Sequence, residues 1–226
     1  MSFFDTLQMQ TAQERNALFN VPVIRQALAG QVSLDSYVAF LTQAYHHVRH
    51  TVPLMMACGA RLPSRLEWLR AAVCEYIEEE YGHEQWILDD IRACGGDWQG
   101  VRDGRPAQPI ELMVAYLYDL IARGNPVGLF GMVNVLEGTS IALATQAAGT
   151  LQRTLALPDK AFSYLSSHGA LDQDHMVTYR QLMDRLDDAD DQQAVMHAAK
   201  IVYRLYTEMF EGLPRAGQHE VRHALA

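Results

Sequence analysis

Residues 160–186, KAFSYLSSHGALDQDHMVTYRQLMDRL, decide how the rest of the chain is read. A helix turns about 100° per residue, so each side chain can be placed on a wheel. With His168 as origin, Asp172 lies about 40° to one side and His175 about 20° to the other. The same arc carries Tyr164, Leu165, Leu171, Tyr179, Leu182, Met183 and Leu186. H-x3-D-x2-H therefore puts two imidazoles and a carboxylate on one apolar strip, while Asp174 points well away. Burying such groups unmatched is costly, so the strip needs protein partners or a ligand. A bonded core histidine next to a surface one would explain a single match. Three ligand groups in register favour a site.

Two other segments supply comparable groups. Between Val127 and Leu151 the only charged residue is Glu137, with Phe130, Val133, Ile141, Ala144 and Ala148 within about 40° of it. A carboxylate among these protonates unless a cation, metal or donor meets it, and Asn134, one turn earlier, is placed to support it. The span Ser64–Cys94 reads as one helix containing EEEYGHE at 78–84. Taking His83 as origin, Glu80 sits about 60° round, beside Leu69, Val73, Tyr76, Ile87 and Ile91. Glu78 points to solvent, and Glu79 and Glu84 stay open as alternatives near the edges of the arc. A glutamate triplet is ordinarily a solvated face. E-x-x-H, however, is the spacing at which helical bundles present a carboxylate and an imidazole to iron or manganese.

The candidate metal ligands are thus Glu80, His83, Glu137, His168, Asp172 and His175. Three carboxylates and three neutral imidazoles match two divalent ions in charge, and oxygen and nitrogen donors without thiolate suit non-haem iron or manganese. The strip from His168 to His175 is about 10 Å long, room for two ions about 4 Å apart. A second histidine cluster, YHHVRH at 45–50, is less sharp. His47 borders an apolar arc and is a candidate to line a substrate cavity, with His46 and His50 further out. Tyr76 and Tyr179, near the proposed ligands, are further pocket candidates or plain core aromatics.

Working outward, proline and glycine cut the chain into helix-length pieces, and alternating strand patterns are scarce. Helices are expected at Phe3–Ala29 (interrupted near Pro22), Leu34–Gly59 behind an Ser33 cap, Ser64–Cys94, Ile110–Arg123, Val127–Leu151, Lys160–Leu186 and Asp190–Phe210. The Gly- and Pro-rich stretch 95–109 is the expected long loop. This is an all-α bundle of seven or eight helices, read as one domain over residues 1–226.

The 226 residues are 49 % hydrophobic, enough for a sizeable core. With 18 Lys and Arg against 27 Asp and Glu, the formal charge of −9 argues against nucleic acid or anionic lipid as partner. Cys58, Cys74 and Cys94 lack the spacing of a disulfide framework or a cysteine-rich zinc site. Asp5, Glu14 and Arg15 interrupt the start where a signal peptide needs an apolar run. Glu137 splits the least charged region, Gly124–Gln152, into pieces expected to be too short for a membrane span. The expected setting is the cytoplasm, and a homodimer is left open.

The order Glu80–His83, Glu137, His168-x3-Asp172-x2-His175 on a helical chain of this length resembles the haem-oxygenase-like diiron oxidases. These are related to pyrroloquinoline quinone synthase and the TenA-like thiaminases. The resemblance covers most of the chain. It implies a haem-oxygenase-like bundle holding two non-haem Fe(II) ions, with manganese as a substitute, and O2-driven oxidation of small amino-acid- or fatty-acid-derived metabolites. It also implies that Glu137 bridges the metals and that His83 is the early-helix histidine. Several members place a glutamate seven residues before that histidine, where this chain has Tyr76, so Glu80 follows the shorter spacing found in others.

Two other functions compete with the oxidase. A metal-free thiaminase-like hydrolase, or a cofactorless oxidase, keeps the fold and drops the metal; the hydrolase needs an activated cysteine. A non-catalytic metal- or ligand-binding bundle would take up metal without turning over a substrate.

Overall fold

The structure, a computed structural model, describes residues 1–215, without the side chains of residues 145 and 168–174. Among the described residues there are twelve α-helices and no strand. They are α1 (Phe3–Gln10), α2 (Ala12–Phe19), α3 (Pro22–Leu28), α4 (Leu34–Val48), α5 (Thr51–Arg61) and α6 (Glu67–Glu80). The remainder are α7 (His83–Ala93), α8 (Trp98–Asp103), α9 (Gln108–Arg123), α10 (Leu129–Leu155), α11 (Ser163–Asp184) and α12 (Ala189–Glu211).

The count exceeds seven or eight because three long spans are broken, each for a local reason, and because the expected loop holds a short helix. Pro22 opens α3, as expected, and a further break at Thr11 has its hydroxyl donating back to the Leu7 carbonyl at 2.8 Å. The expected Leu34–Gly59 helix parts at Arg49–His50, because a continuous helix would drive the Pro53 ring into the Arg49 carbonyl. The Ser64–Cys94 span parts at Tyr81–Gly82, where Tyr81 is extended and Gly82 has φ of +91°. A left-handed residue costs glycine nothing and stops the helix. The expected long loop contains α8, capped by the Asp97 side chain on Gly100 N–H. The Ser33 cap is present, its hydroxyl accepting from Ser36 N–H.

Helix α10 is central, packing chiefly on α11 and α12 and also on α3. Gly131 lets α12 come close: a Cβ there would sit 2.5 Å from the Val195 carbonyl oxygen and 2.6 Å from the Ala199 nitrogen. Residues 126–144 are long and apolar enough, by length and composition, to cross a membrane, so Glu137 does not divide the stretch as expected. In this bundle 67 % of that window is buried inside the protein, as befits a central core helix.

Two apolar cores meet along α10. The larger includes Leu69, Val73 and Tyr76 of α6, Phe130, Val133 and Val135 of α10, and Tyr203 of α12. The smaller joins Tyr37 and Leu41 of α4, Ile87 and Ile91 of α7 and Ala144 of α10. Glu137 falls at the seam between them.

Candidate functional site

The site is built from the ends of helices and the middle of α10. The break at Tyr81–Gly82 makes Glu80 the last residue of α6 and His83 the first of α7. E-x-x-H therefore does not lie on one continuous helix here. The turn still folds the two together: both are buried, and His83 Nδ1 stands 3.2 Å from Glu80 Oε2. Trp86 stacks on the His83 ring at 4.0 Å between centroids and 27° between planes, limiting its rotation.

Across the seam, the Glu137 side chain is 11 % exposed, and its Oε1 lies 3.7 Å from His175 Nδ1. The other ring nitrogen, Nε2, is 2.9 Å from Glu79 Oε2, so His175 sits between a carboxylate of α10 and one of α6. Glu79, which the wheel left at the edge of its arc, is thus brought to α11, although its side chain is 54 % exposed. Its signal was its place in the triplet, which does not tell which of three adjacent carboxylates faces a neighbouring helix. Of the expected α11 strip, Leu165, His175, Tyr179, Leu182, Met183 and Leu186 are buried. His168 and Asp172 lie outside the described residues as far as their side chains are concerned.

Asp90 sets the start of α11. It is fully buried in α7 and accepts from Ser163 N–H at 3.1 Å, Tyr164 N–H at 2.9 Å and the Ser163 hydroxyl. Burial raises its carboxyl above the ordinary value, outweighing these donors. Tyr76 packs its ring edge-on to His175 at 5.7 Å. Burial, then the charge of Glu137, holds its hydroxyl protonated far above the usual tyrosine range. The Tyr76 hydroxyl has no hydrogen-bond partner among the described residues. Tyr179 is fully buried and donates to the Phe130 carbonyl at 2.8 Å. Neither tyrosine lines the two cavities described below; both pack behind the carboxylates.

A cavity of about 50 Å³ lies between α4, α5, α6, α10 and the start of α11, walled by Glu80, Glu137, His47, Tyr164 and apolar neighbours. It brings Glu80 and Glu137 to one space with room for a water molecule. A larger, mostly apolar cavity of about 110 Å³ adjoins it, sharing His47, Leu136, Ser140 and Tyr164. His47 thus lines both, as expected, with its ring edge-on to Tyr206. His46, expected at the boundary, is buried, its pKa lowered by burial and by Arg49. His50, whose Nδ1 meets the Tyr118 hydroxyl at 3.1 Å, is lowered for the same two reasons. Asn134 does not support Glu137 as the wheel suggested: its Oδ1 accepts from Gln8 at 2.7 Å, tying α10 to α1.

The donors suit a hard or borderline cation. The carboxylates of Glu80 (α6) and Glu137 (α10) line the small cavity, and His83 and His175 stand beside them at 3.2 and 3.7 Å. Among the described residues no three of His, Cys, Asp or Glu are gathered tightly enough to hold a metal ion. The residues present fit non-haem iron in donor type, and the described ones form two carboxylate–imidazole pairs.

The sequence matches the family of iron-containing redox enzymes over residues 38–207. No curated protein matches it. A protein of unknown function with a haem-oxygenase-like fold from Shewanella denitrificans is similar in structure, with a TM-score of 0.83 and 22 % identity over 100 % of this chain and 97 % of that one. A TenA homologue from Pseudomonas syringae has a TM-score of 0.79 at 12 % identity, covering 92 % and 91 %. Haem oxygenase-1 from Synechocystis, in complex with haem, has a TM-score of 0.74 at 15 % identity, covering 100 % and 96 %. At these identities the likeness carries the fold alone. The chain belongs to the iron-containing redox enzyme family and folds as a haem-oxygenase-like helical bundle.

Proposed function

We propose that the protein is a non-haem diiron oxidase or oxygenase that uses O2 to oxidise a small metabolite. The observation that carries this reading is the shared cavity between Glu80 and Glu137, each carboxylate with an imidazole beside it. The residues that would hold the metal are Glu80, His83, Glu137 and His175, with His168 and Asp172 from the same strip of α11. Glu79 is an alternative carboxylate on α6.

Bound iron supplies the electrons that reduce O2 and the oxidising power that acts on the substrate. The chain's own part is placement and exclusion. Trp86 fixes the plane of His83, and Tyr76 limits the tilt of His175. Met55, Met132 and Val133 line the small cavity with apolar surface and keep bulk water out. The Tyr76 hydroxyl, held protonated by burial, stands behind His175 as a donor rather than an anion. His47, Ser140 and Tyr164 form the passage from the larger cavity, so a substrate entering from it meets Glu137.

The hydrolase alternative asks for an activated cysteine. Cys58 is buried, donates to the Pro126 carbonyl at 3.3 Å, and has its thiol pushed up to about 12 by burial. Cys94 is pushed up to about 11 by burial and then by Asp90. Neither is a thiolate at neutral pH. Haem as the iron carrier is disfavoured by charge: its two propionates would meet no Lys or Arg among the residues lining either cavity.

The test is to load the protein anaerobically with Fe(II), remove free metal, and expose it to O2. Retention of about two iron ions per chain and an oxygen-dependent visible transient are expected. Unchanged iron retention in the His168→Ala, His175→Ala double variant would overturn the assignment. Iodoacetamide should leave activity intact while a chelator removes it; the reverse would favour the hydrolase.

A further inference from the structure

Each of the two imidazoles beside a site carboxylate also has an aromatic ring against it. Trp86 stacks on His83 at 4.0 Å between centroids, and Tyr76 meets His175 edge-on at 5.7 Å. Tyr76 lies one turn before Glu80 on α6, and Trp86 one turn after His83 on α7. Phenol and indole are among the side-chain groups that give up a single electron most readily.

Packing accounts for the two rings but not for the Tyr76 hydroxyl. Tyr76 is 4 % exposed, and its hydroxyl has no hydrogen-bond partner among the described residues. Phenylalanine would fill the same space without the cost of burying an unmatched hydroxyl. Tyr179, by contrast, is fully buried and spends its hydroxyl on the Phe130 carbonyl. Besides burial, the carboxylates of Glu137, Glu79 and Glu80 act on the Tyr76 phenol. Negative charge nearby eases removal of an electron, and a carboxylate can accept the proton that leaves with it. Glu79 is placed to pass that proton to water: its side chain is 54 % exposed, and its Oε2 is 2.9 Å from His175 Nε2. Trp86 is half-buried, so its ring also reaches toward solvent.

The electron count gives this pair a task. Reduction of O2 to water takes four electrons, of which two Fe(II) ions supply two and an oxidised substrate the other two. When O2 arrives without substrate, two electrons are missing. We infer that Tyr76 and Trp86 then supply one electron each, so that oxidation ends on these two side chains rather than on the metal ligands. O2, two Fe(II), the two side chains and two protons from solvent yield two waters, two Fe(III) and two neutral radicals. The phenol O–H and the indole N–H each lose their proton, the first to Glu79 and the second to water. The inference rests on the oxidase reading for its metal and goes beyond it in giving O2 a second, protective fate.

The test mixes Fe(II)-loaded protein with O2 in the absence of any organic substrate and freezes it for electron paramagnetic resonance. An organic radical signal near the free-electron value is expected. It should narrow in part when the protein is made with ring-deuterated tyrosine, and in part with ring-deuterated tryptophan. These labels need no variant. Tyr76→Phe should abolish the tyrosine part and Trp86→Phe the tryptophan part, each read per iron bound. Peptide mass spectrometry after repeated exposure should find added oxygen at Tyr76 and Trp86 in the wild type, and at His83 and His175 in the double variant. Iron that oxidises with no organic radical, a signal indifferent to both labels, or oxidation equal at Trp98 and Tyr118 would overturn the inference alone. Protein that retains no iron would overturn the oxidase reading, and this inference with it.

Discussion

Asp191 and Glu137 are both acidic side chains set into the bundle, and their surroundings differ in kind. Asp191 of α12 is almost fully buried and accepts two hydrogen bonds from Arg65, at 2.6 and 3.1 Å, and one from Asn125 at 2.8 Å. Burial pushes its carboxyl up, and these donors more than reverse that, so it stays ionised in the fold. Glu137 instead faces the imidazole of His175, and Glu80 that of His83. An arginine can only neutralise a carboxylate, whereas a histidine can share a metal with one. The first arrangement closes a helix junction. The second sets two carboxylates, each beside an imidazole, at the wall of a small cavity.

That contrast should break most visibly at Glu137. Glu137→Gln keeps the shape and removes the charge. Iron retention should fall from about two to less than one ion per chain, and O2 consumption at least about a hundredfold, while urea unfolding of the metal-free protein barely moves. Asp191→Ala should do the converse, costing about 2 kcal/mol in urea unfolding and leaving iron retention unchanged. The figure is lower than for a fully buried pair because the Arg65 side chain is half exposed.

Acid sharpens the same comparison. With its folded value below the ordinary 3.8, Asp191 contributes stability above 3.8 that is lost as pH falls through the folded value. Thermal melts of Asp191→Asn should therefore show a flatter acid limb than wild type, a difference on the order of 1 kcal/mol. Asp90 has the opposite sign. Its raised folded value makes its contribution largest below 3.8 and lost as pH rises through that value. Asp90→Asn leaves one accepting oxygen and turns an NH2 toward a backbone N–H of α11, so it should cost on the order of 1 kcal/mol at neutral pH, seen as a small drop in Tm.

Helical periodicity was legible wherever it ran unbroken. The inward faces of α10 and α11 follow from Glu137 and His175 and their apolar neighbours at helical spacing, and Ser33 marks the start of α4. The break between Glu80 and His83 was not, because its cause is one glycine in a left-handed conformation inside an otherwise helical pattern. The break at Arg49 is traceable to Pro53 four residues later, a clash written in the sequence but easily passed over so near a helix start. The reach of Glu79 to His175 and the turn of Asn134 toward Gln8 depend on which helix lies alongside, and one helix's wheel carries no information about its neighbour. Nor does a wheel reveal a cavity, whose walls come from five helices distant in sequence.

The measurement that bears most directly on the central claim is iron K-edge X-ray absorption on the Fe(II)-loaded protein. The account predicts a first shell of oxygen and nitrogen alone, together with an iron–iron scattering path at about 3.5–4 Å that disappears in Glu137→Gln. A sulfur shell, the signature of a porphyrin, or isolated iron with the same spectrum in both proteins would contradict it.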